Sequence, residues 1–210
     1  MLTSAEIRAK ARESLSGNWK PAVLNFLLYL VVTGVLAGIS YIPLIGWVAQ
    51  LLLTGALAYG VYTYYLLIAR KENPTTGTLF SGFEKFVPTF LLYLLMSIFT
   101  FLWMLLLIVP GIIAALRYSQ AYYILRDNPD IGAMEAIRRS KALMDGNKGR
   151  LFILGLTFIG WFILGIITAG IGLLWIAPYY LTAMGHFYDN LINKKVEAPE
   201  PLPPFGGVTA

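Results

Sequence analysis

"SLSGNWKPAVLNFLLYLVVTGVLAGISYIP", Ser14 to Pro43, is the stretch that decides the fold of this chain. It closes a polar segment, turns at Gly17, sets a cation at Lys20, and then stays apolar until Pro43. A hydrocarbon core of about 30 Å needs about 20 helical residues at about 1.5 Å each. Pro21–Ile42 supplies that length. The phrase recurs at Phe80-Ser81-Gly82 and at Met144-Asp145-Gly146, each followed by a cation (Lys85, Lys148) and another apolar run. Pro43, Pro110 and Gly170 then mark turns further on. A glycine after a helix provides a left-handed C-cap that swings the chain into the bilayer. Gly17, Gly82 and Gly146 are therefore read as structural corners of one unit written three times: a surface helix, a glycine corner and a transmembrane hairpin.

Composition agrees. Of the 210 residues, 58% are hydrophobic and 13% charged, with a mean hydropathy of +0.68. A soluble domain carries roughly 25% charge, so the excess apolar surface must meet lipid. Further spans are read at Val48–Ala69, Pro88–Val109, Ile112–Leu125, Arg150–Gly170 and Leu173–Asn193. The fourth is short and must extend toward Asp127, thin the bilayer or stop short. Apart from Arg117, the cations fall before the first span, between the second and third, between the fourth and fifth, or after the sixth. By the positive-inside rule both termini are cytoplasmic and the cell membrane is crossed six times. The charged opening residues lack the apolar run of a cleavable signal peptide.

The expected fold is thus all-α: six transmembrane helices in three hairpins, at about 4–69, 74–125 and 129–193, with amphipathic helices at the cytoplasmic interface. Residues 1–193 form one membrane domain, and the proline-rich 194–210 reads as a disordered cytoplasmic tail. Thr3 and Glu6 make a capping box, with Leu2 and Ile7 as its hydrophobic staple. Asn128-Pro129 reads as the start of a helix on which Ala133, Ile137, Ser140 and Met144 share one face. That spacing fits an interfacial helix and a cytoplasmic helix packed on the bundle equally well.

The stretches "EIRAKARESLSGNW", "LFSGF", "LLIVPGII", "YILRDNPDIGAMEAIRRSKALMDGNK" and "FIGWFILGIITAGIGLLWIAPY" together resemble the DUF975 family of bacterial integral membrane proteins, over about residues 3–193. The resemblance implies a polytopic membrane protein and carries over no catalytic or binding residue.

Arg117 is the sharpest single residue, because a cation inside a span normally faces a cavity or a partner. With Tyr118, Gln120, Tyr122 and Tyr123 it gives a polar, aromatic stripe suited to an anionic headgroup. The competing reading is a structural arginine that bonds freed carbonyls or snorkels. His186 and Asp189, at i and i+3, have the spacing of a proton relay. Their place near a helix end makes an exposed polar turn the plainer reading. Gly34 and Gly38 form a GxxxG that would allow close approach of another helix or copy. With no cysteine, no P-loop, no HExxH and no GxSxG, the sequence suggests no enzyme, cofactor or metal site. The net charge of +5 is assigned to anionic membrane lipids, not to nucleic acid. What remains is a lipid- or partner-binding membrane module, possible partners being another membrane protein or a second copy. The alternative is a small permease for a lipid, an amphipathic peptide or a small anion.

Overall fold

The computed structural model describes residues 1–42 and 44–197, with side chains through 194. Its regular secondary structure is all helical among the described residues. Helix α1 (Ser4–Leu15) opens on the expected capping box: the Glu6 backbone N–H donates to the Thr3 hydroxyl, and the Thr3 backbone N–H donates to the Glu6 carboxylate at 2.7 Å. Helices α2 (Trp19–Ile39) and α3 (Ile45–Ala69) form the first hairpin. A 3-10 turn at Thr76–Phe80 and the short α4 (Ser81–Glu84) lead into α5 (Phe86–Leu106). Then follow α6 (Ile108–Tyr118), α7 (Ala121–Asp127), α8 (Ala133–Leu143), α9 (Lys148–Ile167) and α10 (Leu173–Glu197).

Four of these, α2, α3, α5 and α9, are long and apolar enough to cross a bilayer. The expected fourth span is two helices. Together α6 and α7 run from Ile108 to Asp127, about 30 Å at helical rise, but Ser119 and Gln120 interrupt them. The break is chemically closed by α8. Its Ser140 hydroxyl donates to the Arg117 carbonyl at 2.7 Å and accepts from the Gln120 N–H at 3.2 Å, satisfying one acceptor and one donor that the interruption frees. The expected sixth span, α10, is long enough, but polar residues dilute its second half and Pro178 lies inside it.

Several local expectations are corrected. The turn between α5 and α6 is made by Leu107, in extended conformation. Pro110 stands at the third residue of α6, where its missing N–H costs no helical bond. Asn128 caps the end of α7, and α8 begins five residues later behind Gly132. Gly17 (φ +83°) and Gly146 (φ +71°) do occupy the left-handed region at their corners. Gly82 does not. It lies inside α4, where a Cβ would run into the backbone of Ala56 on α3. That glycine permits close packing and turns nothing. Helix α10 continues through Glu197, and the rest of the expected tail, 198–210, lies outside the described residues. Pro43 is outside them too.

The helices sort by burial into two sets. In α2 and α5 only 11% of the apolar stretch is buried, and in α9 22%, whereas in α3 it is 61%. Leu24, Leu27, Val31 and Val35 on α2, Phe101 and Leu102 on α5, and Ile153, Leu156 and Ile163 on α9 all lie open. So much exposed apolar surface around a packed core suggests membrane insertion. The core proper is built from Tyr64, Tyr65 and Leu66 of α3, Tyr123 and Leu125 of α7, Phe187 and Tyr188 of α10, and Ile7 and Leu15 of α1.

Candidate functional site

Helices α3 and α7 end beside α10, and one arginine at the end of α3 ties them to its Asp189, eight residues before α10 stops. The α3 C-terminus makes a Schellman-type exit, with the Lys71 N–H on the Ile68 carbonyl and the Glu72 N–H on the Leu67 carbonyl, both at 2.9 Å. Lys71 takes φ +59° to complete it. Arg70 is thereby held at the helix end facing its neighbours. Its guanidinium forks onto Asp127 of α7 (Nη1 2.9 Å, Nη2 2.7 Å) and onto Asp189 of α10 (Nη2 2.8 Å, Nε 3.1 Å). Arg126 adds a second cation to Asp127 at 2.8 Å, and the Tyr188 hydroxyl donates to it at 3.1 Å. Only arginine offers planar donors to two carboxylates at once. About a fifth of each of the three side chains reaches solvent. Burial alone would push the Asp127 carboxyl up, but the hydrogen bonds from Arg70 and Arg126 outweigh it and hold it below the usual carboxylate range. Burial likewise acts to lower Arg70, and its two carboxylates more than reverse that.

Helix α1 docks against this cluster. Ser14, itself buried, lies 2.9 Å from His186 Nε2 on α10, and Lys71 reaches Glu13 at 2.7 Å. Arg150 at the start of α9 donates to the Leu2 carbonyl at 2.8 Å and to Asn190 at 3.0 Å. Between α1, the end of α3 and α10 lies an open polar pocket of about 490 Å³, lined among others by Lys10, Glu13, Arg70, Lys71, His186, Asp189 and Lys194.

The residues singled out from the sequence divide. Asp189 is engaged by Arg70 and His186 by Ser14, with no hydrogen bond joining the two among the described residues. Arg117 is exposed on α6, with no carboxylate partner among the described residues. Tyr118 is buried beside it, under Lys141, whose Nζ stands 5.4 Å from the ring centroid. Gln120 is fully buried at the helix break, where its Nε2 donates to Ser119. Tyr122 turns the other way, into the bundle, and stacks on Tyr62 with centroids 5.2 Å apart. The stripe is therefore split: Arg117 and Tyr118 belong to the basic face, Gln120 and Tyr122 to the interior. Built Cβ atoms at Gly34 and Gly38 meet nothing within 4 Å, which leaves the GxxxG on an open surface.

Arg70 and Asp127 were passed over in the sequence as loop charges. The signal was there in outline: Arg70 follows Tyr65 by five residues and Asp127 follows Tyr122 by five, each closing the second helix of a hairpin with opposite charge.

The chain matches the family described as a protein of unknown function, DUF975, over residues 1–114 and 104–195. It belongs to that family. No curated protein and no solved structure matches it. Family membership names no ligand for this chain, and the site must speak through its own chemistry.

Proposed function

We propose that the chain is a non-catalytic membrane module that holds anionic lipid at its basic face, which lies on the cytoplasmic side of the cell membrane. On this reading the membrane is crossed six times, the broken α6–α7 and the more polar α10 serving as the fourth and sixth spans, and residues 1–193 act as one domain of three hairpins. The observation that carries the proposal is the placement of Lys10, Arg12, Lys20, Lys85, Arg117 and Lys141. Among the described residues none of these has a carboxylate partner within 4 Å, and all but the half-buried Lys85 are exposed. Cations near a membrane surface attract anionic lipid by about 1 kcal/mol each. Arg117, exposed beside the equally unpaired Lys141, is placed to meet a headgroup.

The test is native mass spectrometry of the protein from mixed phosphatidylglycerol and phosphatidylcholine nanodiscs. The wild type retains phosphatidylglycerol preferentially, and Arg117→Leu with Lys141→Leu weakens that preference by roughly tenfold or more, two cations' worth. Equal retention of both lipids by the wild type would overturn the proposal. A small permease for a lipid, amphipathic peptide or small anion is the second reading, and the grooves that converge inside the bundle favour it more than Arg117 does.

A further inference from the structure

Three grooves meet at Tyr62 inside the bundle, and none of their linings contains Asp, Glu, Lys, Arg or His. The charged concavity lies elsewhere. It is the polar pocket of about 490 Å³ between α1, the end of α3 and α10, where Lys10, Arg70, Lys71 and Lys194 share one lining with Glu13 and Asp189.

What such a pocket can take depends on which of its polar groups are already engaged. Glu13 is held by Lys71 at 2.7 Å, and Asp189 by Arg70 at 2.8 Å. Arg70 is shared with Asp127, whose second cation is Arg126, so the two arginines and two aspartates balance. Lys10 and Lys194 are left over. Among the described residues neither has a carboxylate within 4 Å. Glu6, one turn before Lys10 on α1, is turned to Thr3 in the capping box. Asn190 is fixed by what it accepts: its Oδ1 takes the Leu2 N–H at 3.3 Å and the Arg150 guanidinium at 3.0 Å. An amide whose oxygen is so occupied contributes its NH2, a donor, to the remaining space. The pocket therefore has its carboxylates engaged, donors to spare and two uncompensated positive charges.

The complement of that lining is a compact anion with about two charges and several acceptor oxygens. A phosphate monoester fits, with three terminal oxygens and a charge of about −1.5 to −2 at pH 7. A carboxylate or a phosphodiester brings a single charge.

We propose that the pocket between α1, α3 and α10 binds a phosphate monoester, with Lys10 and Lys194 on its oxygens and the Asn190 amide as a further donor. The inference deepens the reading of the basic face, with which it shares Lys10, by naming a ligand group for one part of it. Such a group is carried by soluble small molecules and by lipids with a terminal phosphate, and two probes separate the sources.

Glycerol 3-phosphate is titrated calorimetrically into the full chain in phosphatidylcholine nanodiscs, and retention of phosphatidic acid from the same nanodiscs is followed by native mass spectrometry. One bound molecule is expected: glycerol 3-phosphate binding marks a soluble ligand, and phosphatidic acid binding alone marks a lipid. Lys10→Gln with Lys194→Gln, both at exposed side chains, weakens binding by about tenfold or more at an unchanged melting temperature. Arginine at both positions restores it, and Arg117→Leu changes nothing at this site. A wild type that binds neither probe, or a double glutamine variant that binds equally, overturns the proposal. Phosphatidylglycerol retention measured alongside keeps the two readings apart. A preference for that lipid with neither monoester bound overturns this inference alone, and monoester binding without the preference overturns the basic-face reading alone.

Discussion

The outer helices α2, α5 and α9 and the inner elements α3, α7 and α10 are made of different residues put to different uses. On the outer set, leucine, isoleucine and valine lie exposed, the surface that a bilayer would solvate. On the inner set, tyrosines pack ring on ring, as Tyr62 on Tyr122 and Tyr123 on Tyr188 at 5.2 Å, and the elements are joined at the Arg70 cluster. The comparison teaches where stability resides in such a chain. Between lipid and a neighbouring leucine there is little hydrophobic preference, so helix association falls to packing and to polar contacts. Stability should therefore be concentrated in the inner set and nearly absent from the outer one.

The largest effect should come from Arg70→Leu, which leaves Asp127 and Asp189 facing each other with only Arg126 to balance them. Breaking a fully buried pair costs 3–5 kcal/mol; with about a fifth of each side chain in solvent, a loss of about 2–3 kcal/mol is expected as lowered thermal stability in detergent. Val31→Ala on the lipid face of α2 should change the same melting curve by less than about 0.5 kcal/mol. A comparable loss in both would erase the distinction. Next comes Ser140→Ala, which strips both partners from the α6–α7 break and should cost about 1–3 kcal/mol.

A glycine pair sharpens the contrast. Gly82→Ala forces a methyl against the α3 backbone and should destabilise by about 1–3 kcal/mol, while Gly155→Ala, in open space, should be neutral. The smallest effect is on acid sensitivity. The Asp127 carboxyl titrates lower in the folded state than in an unfolded chain. Its contribution is therefore whole above about pH 4, the unfolded carboxylate range, and is lost as pH falls through the lower folded value. A melting-temperature series across pH should show a shallower acid decline in Asp127→Asn than in the wild type.

The outer set was the legible part. Pro21–Ile42, Pro88–Val109 and Arg150–Gly170 were found within a few residues of α2, α5 and α9, because lipid contact demands unbroken apolar runs and hydropathy records them. Inner elements carry more tyrosine, serine and charge; α3 was still read to within three residues, as Val48–Ala69, and α10 starts at the expected Leu173, so the dilution told only at α6–α7. Ile112–Leu125 read as one short helix because the break at Ser119-Gln120 is stabilised by Ser140, twenty residues away, which no local pattern reports. Gly82 was mistaken for a corner for a similar reason: its requirement comes from Ala56 on another helix. The Arg70 cluster was legible only as opposite charges closing two hairpins, because three charges in three separate segments become one site only when the inner helices converge.

The most direct test of that convergence is a double-mutant cycle on Arg70→Leu and Asp189→Asn, read by reversible unfolding in mild detergent. The account predicts that the two substitutions are strongly non-additive, with a coupling of about 1 kcal/mol or more. Additive losses would mean that Arg70 does not hold α10 to α3, and the inner bundle would need another explanation.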